Sequence, residues 1–529
     1  MPERLRIALA APAFVPGGRR VQRLDFEILL SYLRRTGHDV VAFDSQAQGL
    51  APDALAERLA SARPDLLHWH LDTRDDCAVA AALTGGGARA PAETRVMVAG
   101  GYFGARNDLA ILEAVPRLAA VVRGEAETTL AAVAGQLAAG QPWEAEPGLT
   151  VRRGGTLSRN PPRPLLADLD ALPMAASDFF STLRCERGQQ VLFSRGCLSD
   201  CSYCALKAPY REQTASGPAG HWRSRSAAAI VDEIEFYHRR LGVELFRFSS
   251  FVFFGYDERG GAVVRAVAEE IVRRRFRIRF SFVTHPAPLL RNRDVLPALI
   301  AAGLVWVTVG VDTGLDRARA LYRLESSREE ACEALALLHR LGIPFTPSFI
   351  FYDPYLTLLE VRENLALIAG LAPWFGHMPQ PFAYFLDRHL LRSGLRLSVD
   401  VPLYSRLVRD GLAQPVDPLR EDPAARFRDP RVGRLRLLHG RVNARLGSAV
   451  RRLYCSARVV ARFPFLATLP LAVVERLADL IERDGESSDE EVVEELLEWT
   501  GSQLRPCLDE ALDLVAAPPA QRAACERFR

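Results

Sequence analysis

The sequence predicts an α/β protein that begins with a doubly wound, Rossmann-like parallel sheet, continues as a partial (β/α)6 barrel of the TIM type and ends in a helical region. Two observations support this. Short apolar, strand-like runs alternate with helical patterns in two separate stretches, and only helical patterns remain beyond about residue 395. Such alternation is typical of parallel sheets covered by helices. A chain of 529 residues has room for about three units of this kind.

The first unit is predicted to span residues 1–145. Its strands are expected at 5–10, 40–43, 66–71, 95–99 and 119–122, and its helices at 21–35, 54–62, 76–83, 109–114 and 128–137. Doubly wound sheets bind ligands at the carboxyl ends of their strands. We therefore expect the loops at 11–18, 100–104 and 124–127 to contact a ligand.

Residues 146–184 are rich in proline and arginine and are predicted to be a linker. The barrel is predicted at 185–395, with strands at 191–194, 245–248, 278–282, 305–311, 346–351 and 381–385 and helices at 227–240, 263–274, 295–302, 328–341 and 358–369. The chemistry of such a barrel lies at the carboxyl ends of its strands. Residues 396–529 are expected to form the helical C-terminal domain.

Composition excludes several classes of protein. The net charge of +3 provides no basic surface for nucleic acid. No stretch reaches the roughly 18 apolar residues of a spanning helix, and the N-terminus lacks the pattern of a signal peptide. We expect a soluble, cytoplasmic chain. The nine cysteines are an odd number in a long chain, which argues against a disulfide framework.

Three of these cysteines lie within eight residues. Cys197, Cys201 and Cys204 have the spacing C-x3-C-x2-C and follow the first predicted barrel strand. Thiolates are preferred ligands of iron–sulfur clusters, and three of them leave one iron of a cubane open. Zinc is the alternative, but structural zinc sites usually need four ligands in paired knuckles. No second cysteine or histidine pair follows at a suitable spacing, and His221 is isolated.

The motif C-x3-C-x-aromatic-C resembles that of the radical S-adenosylmethionine (radical SAM) superfamily. The whole arrangement is similar to the subgroup with an N-terminal cobalamin-binding domain. Further stretches resemble that subgroup in order, at 121–130, 169–173, 309–314 and 342–364. The resemblance covers about residues 5–410.

The resemblance implies cofactors and a role for named residues. Cys197, Cys201 and Cys204 would ligate a [4Fe-4S] cluster whose open iron chelates S-adenosyl-L-methionine. An electron donor, a flavodoxin- or ferredoxin-like protein or a chemical reductant, would then trigger formation of a 5′-deoxyadenosyl radical. The protein positions and shields such a cofactor. The implied SAM contacts are Tyr203 for adenine, Ser249 and Ser250 for the amino group, Asp312 and Thr313 for ribose, and Arg323 for the carboxylate. The family's Gly-Gly-Glu is absent at Ser249 and Ser250.

Cobalamin is implied for the first unit, which departs from one familiar pattern. No Asp-x-His-x-x-Gly is present to supply a lower axial histidine, and His68 and His70 are interpreted as residues of a strand tip. Cobalamin would be held without a protein ligand by the predicted loops, with contacts from Gly100, Gly101, Tyr102, Phe103, Gly124 and Glu125. The alternative is a retained fold that binds no corrinoid.

The function expected from the resemblance is C-methylation of a specialised natural-product metabolite, with methylcobalamin supplying the methyl group. Two alternatives remain open: a radical cyclisation, rearrangement or dehydration without methyl transfer, and a cluster- or zinc-stabilised binding protein. His285, Tyr352 and Tyr384 end predicted strands and are candidate contacts for the small-molecule substrate. Neither nucleic acid nor a membrane is an expected partner.

Overall fold

The computed structural model describes residues 3–528 except 17, 19, 86–92, 182–187, 198, 207–221, 257, 376–377, 379, 392–393, 396 and 484–486. His221 and part of the predicted ligand loop 11–18 therefore lie outside the described residues. So do the last part of the predicted linker and the first residues of the predicted barrel.

The N-terminal unit is one seven-stranded sheet with its helices. Its elements are β1 (Arg6–Ala11), α1 (Leu24–Arg34), β2 (Asp39–Asp44), α2 (Ser45–Gln48), α3 (Pro52–Ala62), β3 (Leu66–His70), α4 (Arg74–Thr84), β4 (Val96–Gly100), α5 (Gly101–Arg106), α6 (Asp108–Ala114), β5 (Ala120–Val122), α7 (Ala126–Ala138), β6 (Leu149–Arg153) and β7 (Thr156–Arg159). The strand order is β2-β1-β3-β4-β5-β6-β7, and β1 to β5 are parallel. The α/β class and the parallel sheet are thus confirmed.

Helices cover both faces of this sheet, which explains why its central strands are buried throughout. Phe26 of α1 and Leu130 of α7 belong to the apolar core on one face, whereas Leu55 of α3 and Ile111 of α6 belong to the core on the other. The strand order reverses between β1 and β3. Ligands bind at such a switch point, outside the carboxyl ends of the strands.

The linker prediction is wrong for residues 149–159. Strands β6 and β7 form an antiparallel hairpin that extends the first sheet beyond β5. The hairpin turns at Gly154 and Gly155, which both have positive φ, a conformation that glycine adopts without a steric penalty. Its alternating pattern is short and lies in an arginine-rich stretch, so the sequence resembled a linker.

The barrel unit contains a second, five-stranded sheet. Its elements are β8 (Gln189–Leu192), β9 (Ser194–Arg195), β10 (Arg223–Ser224), α8 (Ala227–Leu241), β11 (Leu245–Ser249), α9 (Glu258–Arg273), β12 (Arg279–Thr284), α10 (Pro286–Arg291), α11 (Leu296–Ala302), β13 (Leu304–Asp312), α12 (Asp316–Tyr322), α13 (Arg328–Arg340), β14 (Phe345–Phe349) and α14 (Leu358–Gly370). The sheet has the order β14-β13-β12-β11-β8 and is parallel, while β9 and β10 form a separate antiparallel ribbon.

The sixth predicted strand is wrong. Residues 382–385 form helix α15 (Phe382–Phe385), which begins after Pro381 and continues into a turn of π-helix at Leu386–Leu390. The aromatic rings of Phe382 and Phe385 both pack against Phe375. The two side chains therefore lie on the same face of the helix. A parallel bridge between Tyr352 and Gly394 marks where the chain runs alongside the end of β14.

The remaining helices continue to residue 528. They are α16 (Pro402–Arg409), α17 (Pro430–Tyr454), α18 (Ala457–Arg462), α19 (Leu469–Arg483), α20 (Asp489–Leu504), α21 (Leu508–Leu514) and α22 (Pro519–Cys525). Their apolar residues share one continuous core with the barrel. Among the described residues no helix has the length and apolarity to cross a membrane.

Helix α1 connects the two sheets through a buried carboxyl group. The side chain of Gln22 donates a hydrogen bond to Glu27 (2.6 Å) and accepts one from the backbone N–H of Gln190 in β8 (2.8 Å). Burial raises the pKa of Glu27 to about 8. Glu27 is therefore largely protonated at neutral pH in the folded chain.

This shift predicts a pH-dependent stability. In the unfolded chain the group titrates near 4.5, so its contribution to stability is complete below that pH and is lost as the pH rises through about 8.

Glu27→Gln keeps an acceptor for Gln22 and removes the titration. We expect the fall of the melting temperature between about pH 6 and 9 to be shallower in this variant. Thermal unfolding across that range tests it, with Glu57→Gln on the exposed face of α3 as the control. Parallel profiles for Glu27→Gln and the native chain would contradict the prediction.

Candidate functional site: a thiol loop facing a cleft

The three cysteines lie on a loop that we call the thiol loop, residues 196–204. It starts directly after β9 at Gly196, whose φ of 89° requires glycine. Its far end is held by Ser202: the backbone N–H donates to the carbonyl of Tyr322 (2.9 Å), and the hydroxyl donates to the carbonyl of Leu321 (2.7 Å). The loop is thereby fixed against the end of α12.

The surroundings of the thiols suit metal ligands. Cys197 Sγ lies 3.3 Å from the hydroxyl of Tyr256, which also hydrogen-bonds to Ser199. Burial raises the pKa of Cys201, and Asp312, Cys204 and Cys197 raise it further. The three thiols are therefore close enough to interact electrostatically, and a buried thiolate here would need a cationic partner.

Three thiols on one loop suit an iron–sulfur cluster. A cubane distributes its thiolate ligands over several irons, and thiolates are its preferred donors. Cys197, Cys201 and Cys204 would hold three of those irons.

Two of the expected SAM contacts meet beside the thiol loop. The hydroxyl of Tyr203 donates to Asp312 Oδ2 (2.9 Å), and Ser348 donates to Asp312 Oδ1 (3.2 Å). Asp312 ends β13 with a φ of 62°, and burial raises the pKa of its carboxyl group. The hydroxyl of Thr313 accepts a hydrogen bond from Leu315 (3.2 Å) and so belongs to the local turn.

The other expected SAM contacts already have protein partners. Ser250 Oγ lies 2.5 Å from Ser194 Oγ, and Ser249 lies at the end of β11. Arg323 pairs with Asp200 of the thiol loop (2.9 Å), and both side chains are more than half exposed. The assignments of Ser249, Ser250, Thr313 and Arg323 to SAM stay predictions.

The three candidate substrate contacts are not equivalent. His285 follows β12 and lies near Asp312, and an added Cβ at Gly310 would be 3.0 Å from its Nδ1. Tyr352 is buried, and its hydroxyl lies 3.1 Å from His439 Nδ1 in α17. Tyr384 lies in helix α15, not at the end of a strand. His285 therefore lies beside a predicted SAM contact, Asp312.

A cleft of about 130 Å³ opens at the carboxyl edge of the first sheet. It lies between the start of α1, the ends of β3, β4 and β5, the start of α7 and the ribbon strand β9. Its lining residues are Arg23, Leu24, Asp25, Phe26, Leu29, His70, Asp72, Gly101, Tyr102, Gly124, Glu125, Ala126, Glu127 and Arg195. Four residues expected to contact cobalamin are thus brought together: Gly101, Tyr102, Gly124 and Glu125. Gly100 and Phe103 flank this lining.

The cleft faces the thiol loop. Arg195 lines the cleft and is followed directly by Gly196, the first residue of the thiol loop. Helix α5, which carries Tyr102, is held by the paired hydrogen bonds from Arg106 to Asp400 (2.6 and 2.7 Å). The two loops expected to hold cofactors therefore lie beside each other.

The two histidines of β3 differ in their surroundings. His68 is fully buried, burial lowers its pKa to about 3, and neither ring nitrogen has a hydrogen-bond partner among the described residues. His70 lines the cleft, and its Nε2 lies 3.3 Å from Asp72 Oδ2. Burial alone would lower the pKa of His70, but the Asp72 carboxylate outweighs it, so the pKa is raised. The sequence did not indicate Asp72 or Arg195 as cleft residues, because only the fold brings them there.

The cleft residues suit the amide-rich edge of a corrinoid, because a volume of about 130 Å³ receives part of that large group. Gly101 has a φ of 82°, and an added Cβ would lie 2.8 Å from the backbone N and O of Leu71. The loop thus approaches the end of β3 more closely than a side chain allows. Two buried nitrogens at the cleft, His70 Nδ1 and Arg195 Nη1, have no hydrogen-bond partner within the described part of the chain. A ligand rich in amide oxygens suits such a lining.

Comparison with known proteins identifies the barrel unit. Residues 191–368 match the family model of the radical SAM superfamily. Members of this family use a [4Fe-4S] cluster and SAM. The match begins in β8 and ends in α14, so it contains the whole five-stranded sheet except the start of its first strand.

Curated relatives are distant and carry different names. The chain is 22% identical over 342 residues to an uncharacterized methyltransferase of Pyrococcus horikoshii, covering 64% of this chain and 71% of that protein. It is 25% identical over 315 residues to the anaerobic magnesium-protoporphyrin IX monomethyl ester cyclase of Synechocystis, covering 58% and 60%. It is 26% identical over 333 residues to the hopanoid C-3 methylase of Methylococcus capsulatus, covering 61% and 60%. The chain thus spans less than two thirds of the last two relatives.

Solved structures share the fold over most of the chain. The cobalamin-dependent S-adenosylmethionine radical enzyme OxsB, with aqua-cobalamin bound, superposes with a TM-score of 0.80 at 16% identity, covering 99% of this chain and 84% of that chain. The radical SAM methyltransferase TsrM of Kitasatospora setae, with cobalamin and a [4Fe-4S] cluster bound, gives a TM-score of 0.60 at 19% identity, covering 79% and 76%. Residues 191–368 of this chain therefore form a radical SAM domain, and the chain has the fold of the cobalamin-dependent radical SAM enzyme OxsB.

Proposed function

We propose that this chain is a cobalamin-dependent radical SAM C-methyltransferase acting on a small-molecule, natural-product metabolite. The observation that carries this proposal is the position of the cleft. Its lining residue Arg195 lies two positions before Cys197, so a corrinoid in the cleft would lie beside a cluster on the thiol loop. Cobalamin and SAM chemistry need that proximity to act on one substrate.

The chain's own residues have distinct tasks in this proposal. When bound, the cluster with SAM supplies a 5′-deoxyadenosyl radical and cobalamin supplies a methyl group. Cys197, Cys201 and Cys204 hold the cluster. The hydrogen bond from Tyr203 to Asp312 orders the wall beside it (2.9 Å). His285, close to Asp312, is positioned to contact the substrate.

The interior beneath the thiol loop excludes water. Phe193, Phe248, Phe253 and Phe282 are at most 1% exposed, and the rings of Phe253 and Phe282 stack at 4.0 Å between centroids. Buried aromatic side chains form a rigid apolar wall. This packing holds the sheet that carries the thiol loop firmly against its helices.

A second candidate is a radical cyclisation or rearrangement without methyl transfer. It is favoured by two comparisons. OxsB, which is named a radical enzyme, covers 99% of this chain. One relative is named a cyclase. Both candidates use the same cofactors and differ in their products.

Product analysis separates the two candidates. The experiment purifies the chain without oxygen, reconstitutes it with iron, sulfide and cobalamin, and then adds SAM and dithionite. Methyl transfer predicts a corrinoid spectrum, 5′-deoxyadenosine and also S-adenosylhomocysteine, because SAM must methylate the bound cobalamin. A rearrangement predicts 5′-deoxyadenosine without stoichiometric S-adenosylhomocysteine. Failure to bind any corrinoid would remove the methyltransferase proposal.

A further inference from the structure

A cluster of four charged residues joins the two units next to the cleft. Arg195 of β9 and Arg223 of β10 are directly opposite each other in the antiparallel ribbon. Like charges in that position are destabilising. Glu125 offsets them: its Oε1 lies 2.8 Å from Arg223 Nη2 and 3.5 Å from Arg195 Nη1. The ribbon therefore depends on a carboxylate from the N-terminal unit.

Arg195 makes a second, closer contact with that unit. Its Nη2 lies 2.6 Å from Glu127 Oε1 and 3.3 Å from Asp25 Oδ1. Glu127 is 4% exposed and Arg195 is 9% exposed, whereas the side chain of Asp25 is 68% exposed. The pair with Glu127 is thus buried, and the pair with Asp25 is screened by solvent. Buried pairs are much the stronger of the two when one partner is removed.

The same residues contact both proposed cofactor sites. Glu125, Glu127 and Arg195 line the cleft. Arg195 is also separated from Cys197 only by Gly196. The backbone of Arg195 therefore leads directly into the first thiol of the loop.

Arg195 also has a donor left for an occupant of the cleft. Its Nη1 is buried and lies 3.5 Å from Glu125 Oε1, an ion pair that does not have the geometry of a hydrogen bond. A buried N–H group that makes no hydrogen bond is destabilising. An oxygen atom of cobalamin that accepted this hydrogen bond would remove the cost, and the contact would exist only when the cleft is filled.

We propose that Arg195 and Glu127 are positioning residues that couple the cleft to the thiol loop, so that cobalamin and SAM bind to this chain cooperatively. This inference rests on the proposed function, since it assumes that both cofactors bind. Linkage makes the coupling reciprocal: each cofactor must raise the affinity for the other by the same factor.

The test measures the dissociation constant of SAM on the cluster-loaded chain with and without saturating cobalamin. We expect the ratio of the two constants to be about fivefold or more in the native chain. In Glu127→Gln the ratio should fall towards one, while the iron content is retained. Asp25→Asn, which removes the exposed partner of the same arginine, should keep the native ratio. The reverse titration, cobalamin with and without SAM, should give the same factor.

Two results would overturn the inference. One is a native ratio near one although both cofactors bind, which leaves the proposed function intact. The other is an unchanged ratio in Glu127→Gln. If that variant does not fold, Arg195→Lys is the substitute: it keeps the charge but loses the planar fork, and it should lower the ratio in the same way. Failure of the native chain to bind cobalamin at all would instead overturn the proposed function, and this inference with it.

Discussion

Cys201→Ala is expected to remove the iron–sulfur cluster and to abolish the formation of 5′-deoxyadenosine from SAM. Mutation of residues that hydrogen-bond to metal ligands already lowers metal affinity or activity by about 10–100-fold. Removal of a thiolate ligand itself should therefore lower 5′-deoxyadenosine formation by more than about 100-fold. The site is sensitive because only three cysteines lie on the thiol loop and Cys201 is buried enough to raise its pKa.

The measurement is iron content together with 5′-deoxyadenosine after addition of dithionite. Cys332→Ala is the matched control, because Cys332 is a half-buried thiol in α13, outside the thiol loop. It should leave the cluster intact. Cobalamin should still bind to Cys201→Ala, since no cleft residue is changed. Normal 5′-deoxyadenosine formation by Cys201→Ala would contradict the radical SAM site and favour a protein in which the cysteines serve another purpose.

Gly101→Ala is expected to have the converse effect: cobalamin is lost and the cluster is kept. Alanine at a φ of 82° pays the left-handed penalty of about 1–2 kcal/mol. Its Cβ would also lie 2.8 Å from the backbone of Leu71, and overpacking of this kind costs about 1–3 kcal/mol. The carbonyl of Leu71 accepts hydrogen bonds from Phe103 and Gly104 (both 2.9 Å), so the loop cannot move without losing them.

The affinity for cobalamin should then fall by about 100-fold, since each 1.4 kcal/mol is a tenfold change. Equilibrium binding followed by visible spectroscopy measures this. Gly140→Ala is the control for the effect of positive φ alone. Gly140 has a φ of 65°, but nothing lies within 4 Å of its added Cβ. It should bind cobalamin normally. Native affinity in Gly101→Ala would show that the cleft is not the cobalamin site.

Local patterns in the sequence were sufficient for much of the fold. The apolar runs at 66–71 and 95–99 predicted β3 and β4 to within one residue at each end. The thiol loop was recognisable because its three cysteines are close in sequence. The cleft loops at 100–104 and 124–127 followed from the strand pattern, since carboxyl ends of parallel strands meet at one edge of a sheet.

Elements that depend on long-range contacts were not predictable in this way. The pairing of β6 with β5 joins residues 149–151 to 120–122, and no local pattern encodes that partner. Helix α15 was mistaken for a strand because a run of four apolar residues fits either structure. Its form is decided by Phe375, which lies outside the run.

The sequence by itself determined the α/β class, the three cysteines as candidate metal ligands and the order of the two parallel sheets. These features follow from periodicity and from spacing along the chain. Only the tertiary structure decided that Arg195 pairs with Glu127 beside the cleft. This contact joins residues that are 68 positions apart. The cleft and the thiol loop become one site because packing brings the two sheets together, which no local pattern specifies.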